Sequence, residues 1–421
     1  MVLTLKRALP RVQRNRERVP PSTGPPPEYP YSIRKFVGYV NAGSYVTSSM
    51  QFSNLLHTPP ALDQLRQMAA ADRLPHANII QAPPGGGGLA AAISVANLLL
   101  CEDRQGANQD TSCLKCRACR KTGKFIHPDF HFAFPTIGSK MVSDNFLPQW
   151  RESLAETPYQ EANDWLQRIG AENKQGNLSR DDCAAIIRKL NLKIFEGRYK
   201  IMLIWLPEYL GNEGNRLLKM IEEPPENTVF LLVSERVELI LNTILSRCQL
   251  TKLTAPSTEA IAAGLRSTGV APNQAANASR LADGNYNLAL QIANSGAAAH
   301  DDRLLTWVRT CYGGSASKLV AWTEAFAKIG RENQKHFLRY AIHFWREFLM
   351  ISVIGEGYEA RLPEKEVTAA KKLSKLVSPD QVETIATIIS ECTEYVERNA
   401  NPKILFLDAG IRIHQALRVA S

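Results

Sequence analysis

Apolar positions change their period along the chain, and the changes divide it. In Pro60–Ala71 the apolar residues Leu62, Leu65 and Met68 recur at the spacing of one helix face. Ala77-Asn78-Ile79-Ile80 is a short apolar run that predicts a strand, and the alanine-rich Ala90–Ala96 predicts a helix after it. Phe130–Phe134 alternates aromatic with other side chains, as a strand does. Asn145–Gln175 is a polar insertion with a helix expected around Asn163–Ile169, and Arg180–Leu190 reads as another helix. Tyr199–Leu206 and Thr228–Ser234 are continuous apolar runs, the mark of strands buried on both faces of a parallel sheet. Between them Asn212–Glu222 predicts a helix, stopped by Pro224-Pro225.

Strands alternating with helices imply an α/β fold with a parallel sheet covered on both faces. Beyond Lys252 the strand signals disappear. Ser257–Leu265, Ala275–Leu281 and Tyr286–Ile292 read as three short helices, and Asp301–Ser421 as helix throughout, with stripes such as Leu338, Ile342 and Leu349. The expected organisation is an α/β unit over 50–251, a small helical unit over 252–298 and a larger helical unit over 299–421, with no internal repeat.

The 421 residues are 44% hydrophobic and 22% charged, ordinary values for a soluble globular protein. No window approaches 18 consecutive apolar residues, and the N-terminus lacks a signal-peptide pattern, so a cytoplasmic, membrane-free protein is expected. Net charge is +9, but residues 1–49 hold eight basic residues against Glu17 and Glu28, which leaves only +3 on the rest. A nearly balanced body gives no charge signal for nucleic-acid binding. The Pro- and Arg-rich head is expected to be disordered, with Met50 as the natural start.

Four of the eight cysteines, Cys101, Cys113, Cys116 and Cys119, lie close together, whereas Cys183, Cys248, Cys311 and Cys392 are isolated. That distribution suits a reducing compartment and a metal site better than a disulfide framework. Tight C-x2-C spacing presents two thiolates from one turn, and four thiolates with no open position predict structural Zn²⁺. His127 and His131 are expected in structural roles, not as ligands.

Ala82-Pro83-Pro84-Gly85-Gly86-Gly87-Gly88-Leu89 follows a predicted strand and opens a predicted helix, the context in which G-x-x-x-x-G-K-[ST] binds phosphate. A working loop uses backbone N–H groups, a Lys and a hydroxyl on Mg²⁺. Here the Lys position is Gly88 and the hydroxyl position Leu89, so ATP is not expected in the relic loop Gly85, Gly86, Gly87 and Gly88. The strand that should end in metal-holding acids ends instead in Trp205 and Leu206, with Glu208 two positions on and expected in solvent. Two independent sites have lost the same chemistry. Arg247, in Asn242-Thr243-Ile244-Leu245-Ser246-Arg247-Cys248, is the type of residue that reaches into a neighbour's active site and stabilises a transferring phosphoryl group.

Leu74-Pro75-His76-Ala77, the glycine loop, the four-cysteine insertion, His127-Pro128-Asp129, Leu217–Pro225 and Thr243–Cys248 occur in this order, and together they resemble bacterial clamp-loader subunits of the AAA+ class. The resemblance covers residues 50 to about 250, and Asn399–Leu407 is similar to the last helix of that family's collar. It implies an AAA+ P-loop-type sheet domain with a zinc-binding insertion, a helical lid and an all-helical collar. Lacking the Lys, the hydroxyl and the acids, the chain resembles the non-hydrolysing members. They sit in a five-membered ring with gamma/tau motor and delta subunits that opens a sliding clamp and places it on primed DNA. Arg247 would then act in trans on the ATP of an adjacent motor subunit. An active AAA+ motor subunit and a zinc-ribbon nucleic-acid-binding protein are the alternatives.

Overall fold

In the computed structural model, residues 52–418 are described apart from 107, 139–140, 171–175, 296–300, 359, 361 and 399. The expected disorder of 1–49 falls outside them. Helix α1 (Pro60–Ala70) starts with Pro at its first position, where the missing N–H costs nothing, and buries Leu62 and Leu65. Strand β1 (Ala77–Gln81) leads through the glycine loop into α2 (Gly88–Leu100), buried on every side along its length. The short α3 (Arg117–Thr122) closes the cysteine insertion, and β2 (Phe130–Ala133) follows.

The insertion after β2 folds as two helices, α4 (Leu147–Glu156) and α5 (Ala162–Arg168). Sequence polarity signalled only the second. Each anchors on one buried tryptophan, Trp150 and Trp165, whose rings meet at 5.0 Å and 85°. Helix α6 (Arg180–Asn191) opens with Ser179 accepting from Asp182 N, and β3 (Lys200–Trp205) is buried throughout. The helix expected over Asn212–Glu222 is a correction. A 3-10 stretch runs over Pro207–Leu217, broken at Gly211 (φ 48°, ψ −138°), and only α7 (Leu218–Glu222) is α-helical. Gly211 adopts a backbone that a periodic apolar pattern cannot reveal.

Strand β4 (Thr228–Ser234), α8 (Asn242–Leu245) and β5 (Gln249–Lys252) complete the sheet. No apolar pattern signals β5, because it is a polar edge strand pairing with β1 alone. All pairings are parallel in the order β2-β3-β4-β1-β5, with Leu203 opposite Leu231 and Ile79 opposite both Leu232 and Leu250. Strand β1 thus lies between β4 and β5, and the loop leaving it opens at the carboxyl edge of the sheet, where α/β proteins place ligands.

After β5 the described residues are helical. Helices α9 (Thr258–Ser267), α10 (Pro272–Ala282) and α11 (Tyr286–Ser295) bury Ile261, Leu265, Ala275 and Ala289 together with Tyr159. Helices α12 (Asp301–Gly313), α13 (Ala316–Phe326), α14 (Arg331–Ile354), α15 (Glu364–Leu373), α16 (Pro379–Glu397) and α17 (Pro402–Arg418) share a separate core around Trp307, Phe344, Trp345, Phe348 and Phe406. Among the described residues no helix is long and apolar enough to cross a membrane.

Candidate functional site

Ala82 N extends the sheet ladder to Ser234 O, and the chain then turns over the start of α2 with Gly85 at φ 64° and Gly87 at φ 93°. Both angles favour glycine, so the loop keeps its expected strand–loop–helix geometry. Side chains from distant elements fill the space above it. A Cβ on Gly85 would overlap the Asn285 side chain, and one on Gly87 would stand 2.8 Å from the Tyr159 ring. Asn285 Nδ2 donates to Glu161 Oε1 at 2.7 Å, its Oδ1 accepts from Leu288 N at 2.9 Å, and Tyr286 N donates to Gly85 O at 3.2 Å. The Tyr159 hydroxyl accepts from Leu56 N at 3.2 Å, and burial pushes its pKa up to about 12. What remains above Gly86 and Gly87 is a cavity of about 10 Å³. That is about one water, whereas small-molecule pockets run from about 300 Å³.

Gly88, at the Lys position, is itself enclosed. A Cβ there would lie 2.8 Å from Ala82 Cβ and 3.2 Å from Val233 Cγ1. At the end of β3, Trp205 is a core residue 5.1 Å from the Trp150 ring. Leu206 is buried with φ 56° and ψ 60°, a left-handed conformation uncommon for leucine, and it turns the chain sharply after β3. The expectation of a solvated Glu208 is corrected by this turn. Its Oε1 accepts from Glu235 N at 3.0 Å and Arg236 N at 3.2 Å, and burial raises its pKa. Glu235, just after β4, is pushed up to about 8, first by burial and then by the charges of Glu161 and Glu208.

The four predicted cysteines come together. Their sulfurs all lie within 4.8 Å of one another, with Cys101 and Cys119 buried and Cys113 and Cys116 half-buried. A tetrahedral ion with Zn–S bonds of about 2.3 Å sets sulfurs about 3.8 Å apart, so the cluster fits. Backbone N–H groups aim at the sulfurs: Cys113 N at Cys101, Lys115 N and Cys116 N at Cys113, and Cys119 N at Cys116, all at 3.3–3.4 Å. Cys101 is drawn down to about 5, chiefly because the Cys119 thiol hydrogen-bonds to it, while Cys119 and Cys113 are pushed up. One thiolate thus forms readily and the next resist. Four adjacent thiolates need a cation. His127 and His131 stay outside the cluster: His127 Nδ1 accepts from Asp129 N, and burial lowers both, His131 to about 4.

Arg247 lies beyond α8, with its side chain one-third exposed. Its Nε donates to Glu222 Oε2 at 3.0 Å and its Nη1 to Thr243 O at 2.9 Å. Sequence reasoning singled out the loop, the cysteines and Arg247 as candidates, but gave no sign of Tyr159, Glu161 and Asn285. Asn285 was visible only as part of a turn before a helix, and nothing local tied it to Gly85.

Residues 57–257 match the family model described as DNA polymerase III, delta subunit. The DNA polymerase III subunit delta' of Escherichia coli (strain K12) is 29% identical over 200 residues, covering 47% of this chain and 48% of that protein. That of Yersinia pestis is 28% identical over 186 residues, covering 44% and 43%. The chain thus spans about half the length of the curated relatives it matches. A solved DNA polymerase III gamma subunit-related protein of Thermotoga maritima aligns with 85% of this chain and 100% of its own, at 15% identity and a TM-score of 0.36.

Proposed function

We propose that the chain works as a delta-prime-type subunit of a clamp loader, a reading supported by the match of residues 57–257 to the DNA polymerase III delta-subunit family model. It hydrolyses no ATP of its own and presents Arg247 to the ATP of an adjacent subunit. The observation that carries this reading is the phosphate loop: intact in backbone, without Lys or hydroxyl, and filled by Tyr159 and Asn285. Such a loop has no use for a nucleotide, and the fold around it then serves a neighbour.

Its partners are the gamma/tau motor subunits and delta in a five-membered ring, with the sliding clamp and primed DNA met through the complex. The segment 252–298 acts as a lid that stays shut, and 299–421 as the collar that joins the ring. Cys101, Cys113, Cys116 and Cys119 hold one structural Zn²⁺. Bound zinc supplies the charge that lets four thiolates coexist, and so fixes the insertion onto the end of α2.

The test is a ring reassembled with Arg247→Ala. An arginine given in trans is worth on the order of 10³–10⁵ in phosphoryl-transfer rate, so turnover at the site it serves collapses and DNA-stimulated ATPase falls. The ring itself elutes intact on gel filtration. Unchanged turnover would remove Arg247 from the mechanism.

A further inference from the structure

The segment Leu217–Pro225 has no part in the chemistry above, yet it ends beside Arg247. Glu222 is the last residue of α7, a position where free carbonyls make a carboxylate unfavourable. Helix stability therefore does not explain it. Its neighbour Ile221 is fully buried, as is Ile244 on α8, and both belong to one hydrophobic cluster with Leu217. The backbones carrying Glu222 and Arg247 are thus fixed to the same core, while both side chains reach the surface, 56% and 33% exposed.

The guanidinium is held at two of its three nitrogens. Nε donates to Glu222 Oε2 at 3.0 Å, and Nη1 donates to Thr243 O at 2.9 Å and approaches Ser246 Oγ at 3.4 Å. Nη2 has no partner among the described residues, so one edge of the fork stays free. We propose that Glu222 is a positioning residue for Arg247: it fixes the guanidinium plane so that the Nη edge meets an incoming phosphate oxygen. Arginine carries among the largest side-chain rotamer freedoms, and ordering it before the partner arrives lowers the entropic cost of the contact. The planar fork makes the device effective, because fixing Nε and Nη1 fixes Nη2 as well. Pro224-Pro225 stops the helix directly after the Glu222–Glu223 pair and holds the carboxylate at its end.

This proposal rests on the reading of Arg247 given above, and one experiment separates the two. Rings are assembled with Arg247→Ala, Glu222→Ala, Glu222→Gln and the Arg247→Ala/Glu222→Ala pair, and DNA-stimulated ATPase is measured across ATP concentrations. Glu222→Ala lowers kcat about two- to fivefold, the worth of an exposed ion pair, with KM and the subunit's melting temperature unchanged. Glu222→Gln, whose amide oxygen still accepts from Nε, recovers most of the rate. The double variant is no slower than Arg247→Ala. If Arg247→Ala is slow while Glu222→Ala matches the wild type, the positioning role is overturned and the finger stands. If Glu222→Ala slows turnover further in the Arg247→Ala background, Glu222 acts structurally and the proposal fails. If Arg247→Ala itself changes nothing, the reading of Arg247 fails first.

Discussion

Gly88 sits where a phosphate-binding loop would carry its lysine, and the packing around it leaves no room for one. A lysine placed there brings a Cβ 2.8 Å from Ala82 Cβ and 3.2 Å from Val233 Cγ1, in a helix start that is already fully buried. Replacing glycine in a helix gains up to about 1 kcal/mol. Overpacking a filled site costs about 1–3 kcal/mol, so the clash wins. Gly88→Lys combined with Leu89→Ser is expected to lower the denaturant midpoint and to show no ATP binding by calorimetry at millimolar nucleotide. Tight binding by that variant would mean the loop opens freely, against the packing of Tyr159 and Asn285. The sequence could announce the missing Lys at this position. It could not announce the missing room, which is set by Ala82, just past β1, and Val233 on β4.

The cysteine insertion, from the end of α2 through α3, is the element whose sequence and structure agree best. Ligand geometry is local there: a C-x2-C turn fixes the distance between its sulfurs whatever the rest of the fold does. Of the four sulfurs, that of Cys101, at the end of α2, comes from farther back along the chain than the Cys113–Cys119 turn. About one equivalent of zinc per chain is expected by metal analysis. Chelation, or Cys116→Ser, should open residues 102–123 to protease while β3 and β4 keep their hydrogen-exchange protection, since their side chains are buried in clusters to which 102–123 contribute none. Protection lost across the whole sheet would show the insertion to be part of the main folding unit. Elements shaped by backbone exceptions were less legible. The 3-10 stretch before α7 depends on Gly211, and β5 is a polar edge strand that exists because β1 has a free side.

At the scale of the whole molecule, Glu161, Glu208 and Glu235 line a groove of about 1,470 Å³ that also takes in Arg331, Lys335 and Arg339 of α14. Glu235 is half-buried, its carboxyl raised from 4.5 to about 8 by burial and by Glu161 and Glu208, with Arg236 and Arg339 opposing. A carboxyl raised on folding favours the native state while protonated. Its contribution is whole below about pH 4.5 and lost as pH rises through about 8. Glu235→Gln removes that loss. Melting curves of variant and wild type should coincide near pH 4.5 and separate upward, with the variant the more stable at pH 8–9. Equal stability across the range would show that the groove opens to water around Glu235.

By itself the sequence determined the alternation of most helices and strands, the parallel α/β class, the cysteine cluster, and the glycine loop and arginine as candidates. Periodicity, turn residues and ligand spacing act over a few residues, so they can be read along a line. Only the tertiary structure decided that Tyr159, Glu161 and Asn285 close over the glycine loop, that Glu208 folds back onto β4, and that Glu222 holds Arg247. Each of those contacts joins residues far apart in the chain. Their geometry is fixed by how buried faces stack against the sheet, a property of the whole core that no local pattern contains.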